Sequence, residues 1–307
     1  MSTVLRDVYQ SITDQIIAAL EAGTPPWVCP WKGTEGDMTP ANLGTSRPYR
    51  GVNVLLLNLQ LMLRGYDSNR WMTYQQARGL GAQVRKGESG TPIVLFKMHE
   101  LGPVAGTVRA ELVAKTADRR VVPLLRTFTV FNAAQIEGLP TALVKPDSEP
   151  CAVWDAGGAA ESIVRESGAQ IRHGGSRAFY APVEDLIQLP THTSFANATD
   201  YYATALHELT HWTGHAERCN RPLGRRHGID AYAFEELVAE MGASFLTNHC
   251  RLPGKLQHAS YIASWLQALR NDKRLIFAAA SQAQRAADYL LPSASEQDAL
   301  MPVAEAA

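Results

Sequence analysis

Cysteine is scarce and scattered in this sequence. Four residues, Cys29, Cys151, Cys219 and Cys250, are spread over 307 positions with no CxxC pair. That excludes a dense disulfide framework, and a reducing cytoplasm is the simplest setting. Long hydrophobic runs are missing too. None reaches the roughly 18 uninterrupted apolar residues of a membrane helix. In residues 1–20, Arg6, Asp7 and Asp14 break the apolar stretch, so the hydrophobic region of a secretory signal is absent. No membrane partner is expected. There is no internal repeat and no low-complexity tract. The stretch VRKGESG, residues 84–90, lacks the GxxxxGK[ST] order of a phosphate loop, which sets aside a nucleoside triphosphatase.

Excess charge of one sign is also missing, since the net charge is −1. The total hides an asymmetry. Residues 1–145 hold 16 Lys+Arg against 11 Asp+Glu, and the remainder holds 13 against 19, so the halves stand at +5 and −6. Opposite signs fit two domains with different partners, the basic one able to meet a polyanion. With 46% apolar and 19% charged residues, the chain is ordinary for a globular protein and long enough for two cores.

Periodicity supplies the elements. Val4, Leu5, Val8, Ile12, Ile16 and Leu20 recur at helical spacing, predicting an amphipathic helix over residues 3–21. GTPPWVCPW follows, an extended, aromatic-bearing segment in which three prolines forbid a helix interior. YRGVNVLLLNLQLMLRGY reads as a loop opening into a buried helix closed by Gly65. Then come a short helix, a glycine-rich turn, and strands at Pro92–Met98 and Val121–Phe131, with Gly102–Arg120 as a hairpin or surface excursion. Residues 141–155, rich in proline, are expected to link an N-terminal domain (1–140) to a C-terminal one (156–307). In the latter, helices are predicted at Ala156–Gly168, Asp200–Gly214, Ala231–Asn248 and Ala259–Leu290, with two short strands in FYAPVEDLIQLP and a frayed tail after Pro292. The fold class is therefore α+β: a mixed α/β first domain, then a mainly helical domain with a small sheet.

The chemistry concentrates in HELTHWTGH, residues 207–215. On a helix, positions i and i+4 share a face, so His207 and His211 can chelate one Zn2+. Glu208, one position round, can hold a metal-bound water as general base without ligating. Leu206, Leu209 and Trp212 form the buried side, and Asp200 can cap the helix. A third ligand is required. His215 lies two turns from His207, too far along a straight helix. Glu217 completes a metzincin-like HxxxHxxGxx(ligand) spacing. Glu236, in FEELVAEMGASFL, is preferred: a glutamate from a second helix, with Glu240 one turn on to orient a histidine, is the gluzincin arrangement.

Between Arg47 and Lys97 there are eight Lys+Arg and two acids, interleaved with aromatics. Cations along a backbone and flat rings under bases are what single-stranded nucleic acid requires. Candidate contacts are Trp27, Trp31, Arg47, Tyr49, Arg50, Trp71, Arg85 and Lys86.

Several long segments in the same order (GTPPWVCPW, RPYRGVNVLLL, WMTYQQARGLGAQVRKGESGTPIVLF, FTVFNAAQIEGLP, FANATDYYATALHELTHWTGH, YAFEELVAEMGASFL and SYIASWLQAL) resemble the ArdC-type antirestriction proteins of conjugative plasmids. That group shares its N-terminal domain with TraC-type plasmid primases. The resemblance covers nearly the whole chain; Cys29, between two tryptophans where a polar residue is expected, is a small departure. It implies an N-terminal domain that binds single-stranded DNA, a zincin-like metallopeptidase domain with its acidic ligand in EELVAE, and protection of incoming DNA from host restriction. Three readings stay open. One is a DNA-coating protein whose zinc is structural. A second is an active peptidase directed at restriction enzymes or other DNA-bound proteins. The third is a protein-binding module with no DNA affinity.

Overall fold

The computed structural model describes residues 7–27, 39–100, 121–144, 156–221, 229–252 and 261–291. Trp31, Cys29, the Gly102–Arg120 excursion, most of the linker and the tail after Pro292 lie outside them.

The first half is built on a four-stranded sheet. Helix α1 (Val8–Glu21) is capped by Asp7, whose carboxylate accepts from the Gln10 amide. Strand β1 (Ala41–Asn42) precedes α2 (Val52–Arg64), which ends at Gly65 in the left-handed conformation that a side chain would strain. Strand β2 (Arg70–Thr73) leads into α3 (Tyr74–Gly79), where Thr73 and Gln76 form a capping box. After β3 (Gln83–Val84), the long β4 (Thr91–Glu100) and β5 (Val121–Asn132) pair antiparallel from Thr91↔Val130 to Glu100↔Val121. The sheet order is β1-β2-β5-β4, with β3 and β6 (Ile136–Glu137) paired apart. Inside the expected linker, α4 (Thr141–Val144) is a single helical turn.

The second half opens with α5 (Ala156–Glu166) and a three-stranded sheet in which β9 (Leu186–Leu189) lies between β7 (Gln170–His173) and the edge strand β8 (Phe179–Ala181). Helix α6 (Ala198–Trp212) starts two residues earlier than predicted, because Asn197 is the cap. Its side chain accepts from the Asp200 amide at 2.9 Å, which places Asp200 in the first turn instead of at the cap. Helix α7 (Ile229–His249) is buried without interruption from Glu236 to Asn248, the mark of a helix at the centre of a core. The predicted 259–290 helix divides into α8 (Ile262–Asn271) and α9 (Leu275–Leu290). The break is local: Asp272 is extended, and its carboxylate takes the Arg274 amide at 2.8 Å, competing with helical hydrogen bonding.

One buried cluster joins the halves. Ile12, Ile16, Leu55 and Val94 pack with Leu206, Leu237, Trp265 and Ile276. Polar ties run alongside: Thr13 donates to the Lys273 carbonyl at 2.8 Å, and the Gly51 amide to Gln284 at 3.0 Å. Exposed pairs Arg50–Asp288, Arg270–Glu21 and Lys273–Asp7 lie on the same seam and contribute little each, being solvent-screened. No described helix is long and apolar enough to cross a membrane.

Candidate metal centre

Helix α6 buries Leu206, Leu209 and Trp212, as its 3.6-residue period requires, and so turns His207 and His211 towards α7. The two imidazoles stand edge to face, 4.9 Å between centroids. The helices can approach this closely because Gly242 of α7 has no side chain where it meets Thr210.

Glu236 of α7 faces both rings. Its Oε2 lies 3.7 Å from His207 Nε2, and its Oε1 lies 3.6 Å from His211 Nε2. One ligand atom from each of the three residues falls within 4.8 Å of the others. Behind each ring stands another carboxylate. Glu240 Oε1 is 3.9 Å from His207 Nδ1, and Glu235 Oε1 is 3.2 Å from His211 Nδ1. Each imidazole thus points Nε2 inward and has an acid on its Nδ1 side; at His211 the 3.2 Å hydrogen bond to Glu235 fixes the ring orientation and favours Nε2 as the metal-binding atom.

Glu235 is itself held. Arg221, from the loop after α6, donates to Glu235 Oε1 at 2.8 Å, to the Thr210 carbonyl at 2.6 Å and to Thr213 Oγ1 at 2.8 Å. Its buried guanidinium closes the C-terminal end of α6, where helix carbonyls lack partners and a cation is favoured.

The electrostatics follow from this crowding of acids. Four acidic side chains (Glu208, Glu235, Glu236 and Glu240) gather round the two imidazoles, with the Arg221 guanidinium against Glu235, so acidic groups are in excess. Burial alone would lower the His211 pKa, but the Glu235 hydrogen bond and the charges of Glu235, Glu208 and Glu236 outweigh it, so the value is raised. Burial would raise that of Glu235. The hydrogen bonds from His211 and Arg221 prevail, and it is lowered. A site with two imidazoles, one carboxylate and an excess of acidic groups has the donor set and the field to hold a divalent cation.

Of the residues singled out in sequence, His207, His211 and Glu236 come together, with Glu240 behind His207 and Glu208 buried alongside. Glu217 does not join them. It is exposed, its amide donating to His215 Nδ1 at 3.3 Å, because the chain turns away after Trp212. Glu235 and Arg221 were missed. Glu235 carries a weak signal as the neighbour of Glu236. Arg221 carries none, since a loop residue folding back over a helix end has no periodicity.

In the basic half, Arg47, Arg50, Arg85 and Lys86 are exposed and Tyr49 is half-buried. Two expected stacking residues need correction. Trp27 is 1% exposed, edge-on against Trp265, and Trp71 is 0% exposed with Nε1 donating to Asn69 at 2.8 Å. A ring enclosed on both faces by core cannot stack under a base. An exposed ring in this half is Tyr74, 41% exposed, whose hydroxyl takes Gln83 Nε2 at 3.2 Å, two positions before Arg85.

The fold and site place the second half in a recognised class. Residues 158–282 match the model of the zincin-like metallopeptidase domain. Residues 6–131 match the N-terminal domain of the anti-restriction factor ArdC. Two Escherichia coli proteins named DNA primase TraC are 42% and 41% identical over 97% and 94% of this chain, which spans only 28% and 20% of their lengths. The uncharacterized protein y4eC of Sinorhizobium fredii (strain NBRC 101917 / NGR234) is 40% identical, with 92% of this chain and 91% of that protein covered. The metal-free crystal structure of antirestriction ArdC from plasmid R388 superposes with a TM-score of 0.75 at 42% identity, covering 92% of this chain and 96% of that one. Its Mn(II)-bound structure gives 0.72 at 43%, covering 92% and 97%. The chain belongs to the ArdC family of antirestriction proteins.

Proposed function

We propose that this protein protects the incoming DNA of a mobile element from host restriction, working in the cytoplasm. In this reading residues 1–140 bind single-stranded DNA with little sequence preference, residues 141–155 link, and residues 156–307 hold Zn2+ through His207, His211 and Glu236. The convergence of two imidazoles and a buried glutamate, each ring backed by a further acid, carries the metal assignment. The Mn(II)-bound structure of the R388 protein supports a divalent ion in this fold.

Zinc, when bound, supplies a Lewis acid that polarises a peptide carbonyl and acidifies water. The protein's own groups do the rest. Glu208, on the same helix as the two histidines, accepts the proton of the attacking water and passes it to the leaving amine. Glu235 keeps the His211 imidazole in register by accepting from its Nδ1, and Glu240 stands 3.9 Å behind that of His207. Glu208, buried next to His207 in sequence, supports a second reading, a peptidase acting on restriction enzymes or other DNA-bound proteins.

For the DNA half, the exposed cations Arg47, Arg50, Arg85 and Lys86 are the phosphate contacts, and Tyr74, with Arg78 one turn on, replaces the buried tryptophans as the stacking ring. Two experiments test the proposal. Fluorescence anisotropy of the intact protein should show tighter binding to labelled single strands than to duplex, weakening as salt rises. Absence of binding at low salt would refute the DNA role. Elemental analysis should find one zinc per chain in both wild type and Glu208→Gln. If Glu208→Gln retains protection in a restriction assay, the peptidase reading fails and DNA coating stands.

A further inference from the structure

Helix α6 packs on one face of the three-stranded sheet β7-β9-β8. Strand alternation sends every second side chain to that face. Ile171, Tyr180, Ile187 and Leu189 join the buried cluster there, and His173 Nε2 lies 3.0 Å from the hydroxyl of Tyr201 on α6. Tyr180 is pinned further, its hydroxyl donating to Asp185 at 2.8 Å and accepting from Arg218 at 3.2 Å. With these turned inward, Arg172, Gln188 and Phe179 point to the outer face. Strand pairing sets them in one row across the sheet, Arg172 opposite Gln188 and Gln188 opposite Phe179.

Phe179 is 42% exposed and stands outside the buried cluster. Arg172 is exposed, and so is Arg177, whose guanidinium lies 5.9 Å from the centre of the Phe179 ring. Between them Gln188 Nε2 donates to the Gly174 carbonyl at 2.7 Å, which ties the end of β7 to the middle strand. The segment has one sign of charge: residues 167–183 contain two arginines, one histidine and no acid. The acids that follow, Glu184 and Asp185, lie in the turn at the far end of β8, and Arg218 takes up Asp185 at 3.0 Å. An exposed ring on a solvated sheet face, with guanidinium groups beside it and across its row, meets the demands of a nucleic-acid strand. The ring offers its face to any base, and the arginines meet the phosphates.

We propose that the outer face of this sheet is a second contact surface for single-stranded DNA, with Phe179 stacking under a base and Arg172 and Arg177 on phosphates. The inference rests on the reading of this protein as a single-strand binder and extends its footprint from the basic half to the metal-holding half. Its test uses the intact chain. Irradiation with a thymine oligonucleotide carrying iodouracil should crosslink wild-type protein at Phe179, located by peptide mass spectrometry. In fluorescence anisotropy, Phe179→Leu, which keeps apolar bulk and removes the ring, should bind that oligonucleotide roughly 5–100-fold more weakly, the worth of one stacked base. Phe179→Trp should bind at least as tightly as wild type. Arg172→Gln combined with Arg177→Gln should make the salt dependence shallower, by about 0.7 in log–log slope per lost phosphate contact. Melting temperature and zinc content should stay at wild-type values, because the replaced side chains face solvent. Crosslinks confined to residues 1–140, with wild-type affinity in Phe179→Leu, would overturn the inference while leaving the DNA reading standing. So would an affinity loss in Phe179→Leu that accompanies a lower melting temperature while no crosslink forms at Phe179. Wild-type protein that binds no single strand at low salt would remove both together.

Discussion

Gly242 of α7 and Thr210 of α6 meet where the helix carrying the histidines packs on the helix carrying Glu236. A Cβ placed on Gly242 would lie 2.5 Å from Thr210 Cγ2 and 2.9 Å from its Oγ1. Ordinary contact begins near 3.5 Å, so Gly242→Ala demands roughly 1 Å of relief. Thr210 cannot supply it by rotating. Its hydroxyl donates to the Leu206 carbonyl at 2.8 Å, and a β-branched side chain in a helix has few other rotamers. The helices must part instead. Overpacking of this kind costs about 1–3 kcal/mol. The damage to metal binding should be greater, because ligand distances tolerate only about 0.2 Å and the displaced helix carries Glu236 and Glu240. We expect Gly242→Ala to melt several degrees below wild type and to lose at least ~10-fold in zinc affinity. Thr210→Ala, which removes both clashing atoms, should restore most of that affinity in the double variant, a coupling readable from a mutant cycle. A Gly242→Ala protein with wild-type melting temperature and wild-type zinc affinity would refute the claim that this contact spaces the site.

Three further outcomes follow from the same geometry. Arg221→Met should destabilise the fold by roughly 3 kcal/mol in urea unfolding, because the mostly buried Glu235 carboxylate loses its cation. Asp185 is held below its ordinary 3.8 by Arg218 and then Tyr180, so the stability it contributes is complete above that value and fades as pH falls below it. The stability gap between wild type and Arg218→Met, followed by urea unfolding, should therefore be flat from pH 7 to about 4 and narrow beneath. Burial pushes the Cys250 thiol up to about 12, leaving about one thiolate in ten thousand at pH 8. Peptide mapping after iodoacetamide should find Cys250 unmodified in native protein and modified once urea is added.

Most local structure was legible because hydrophobic spacing expresses it directly. The α2 run from Val52 to Leu61 and the strands β4 and β5 appear within a few residues of their predicted bounds. Short pieces such as β1, β3 and β6, two residues each, have no period to read and form only because a partner strand is present. The break at Asp272 was hidden for a similar reason: one side-chain hydrogen bond interrupts a pattern that remains helical on both sides. In the aromatic count, tryptophan signalled stacking surface and core equally well. Trp27 and Trp71 went to the core because large apolar rings gain most when fully removed from water.

The sequence by itself determined the donor pair. Helical geometry alone puts His207 and His211 on one face and Glu208 beside them, whatever the rest of the chain does. It also placed Glu236 and Glu240 one turn apart on a second helix. Which acids met which nitrogens was a tertiary matter. Glu217, Glu235, Glu236 and Glu240 are chemically alike, and only the α6–α7 crossing, held close at Gly242, decides among them. It brings Glu236 to both Nε2 atoms, sends Glu235 and Glu240 behind the rings and leaves Glu217 in solvent. The reason is range: spacing along a helix is encoded every few residues, whereas a contact between helices depends on the shape of everything packed around both.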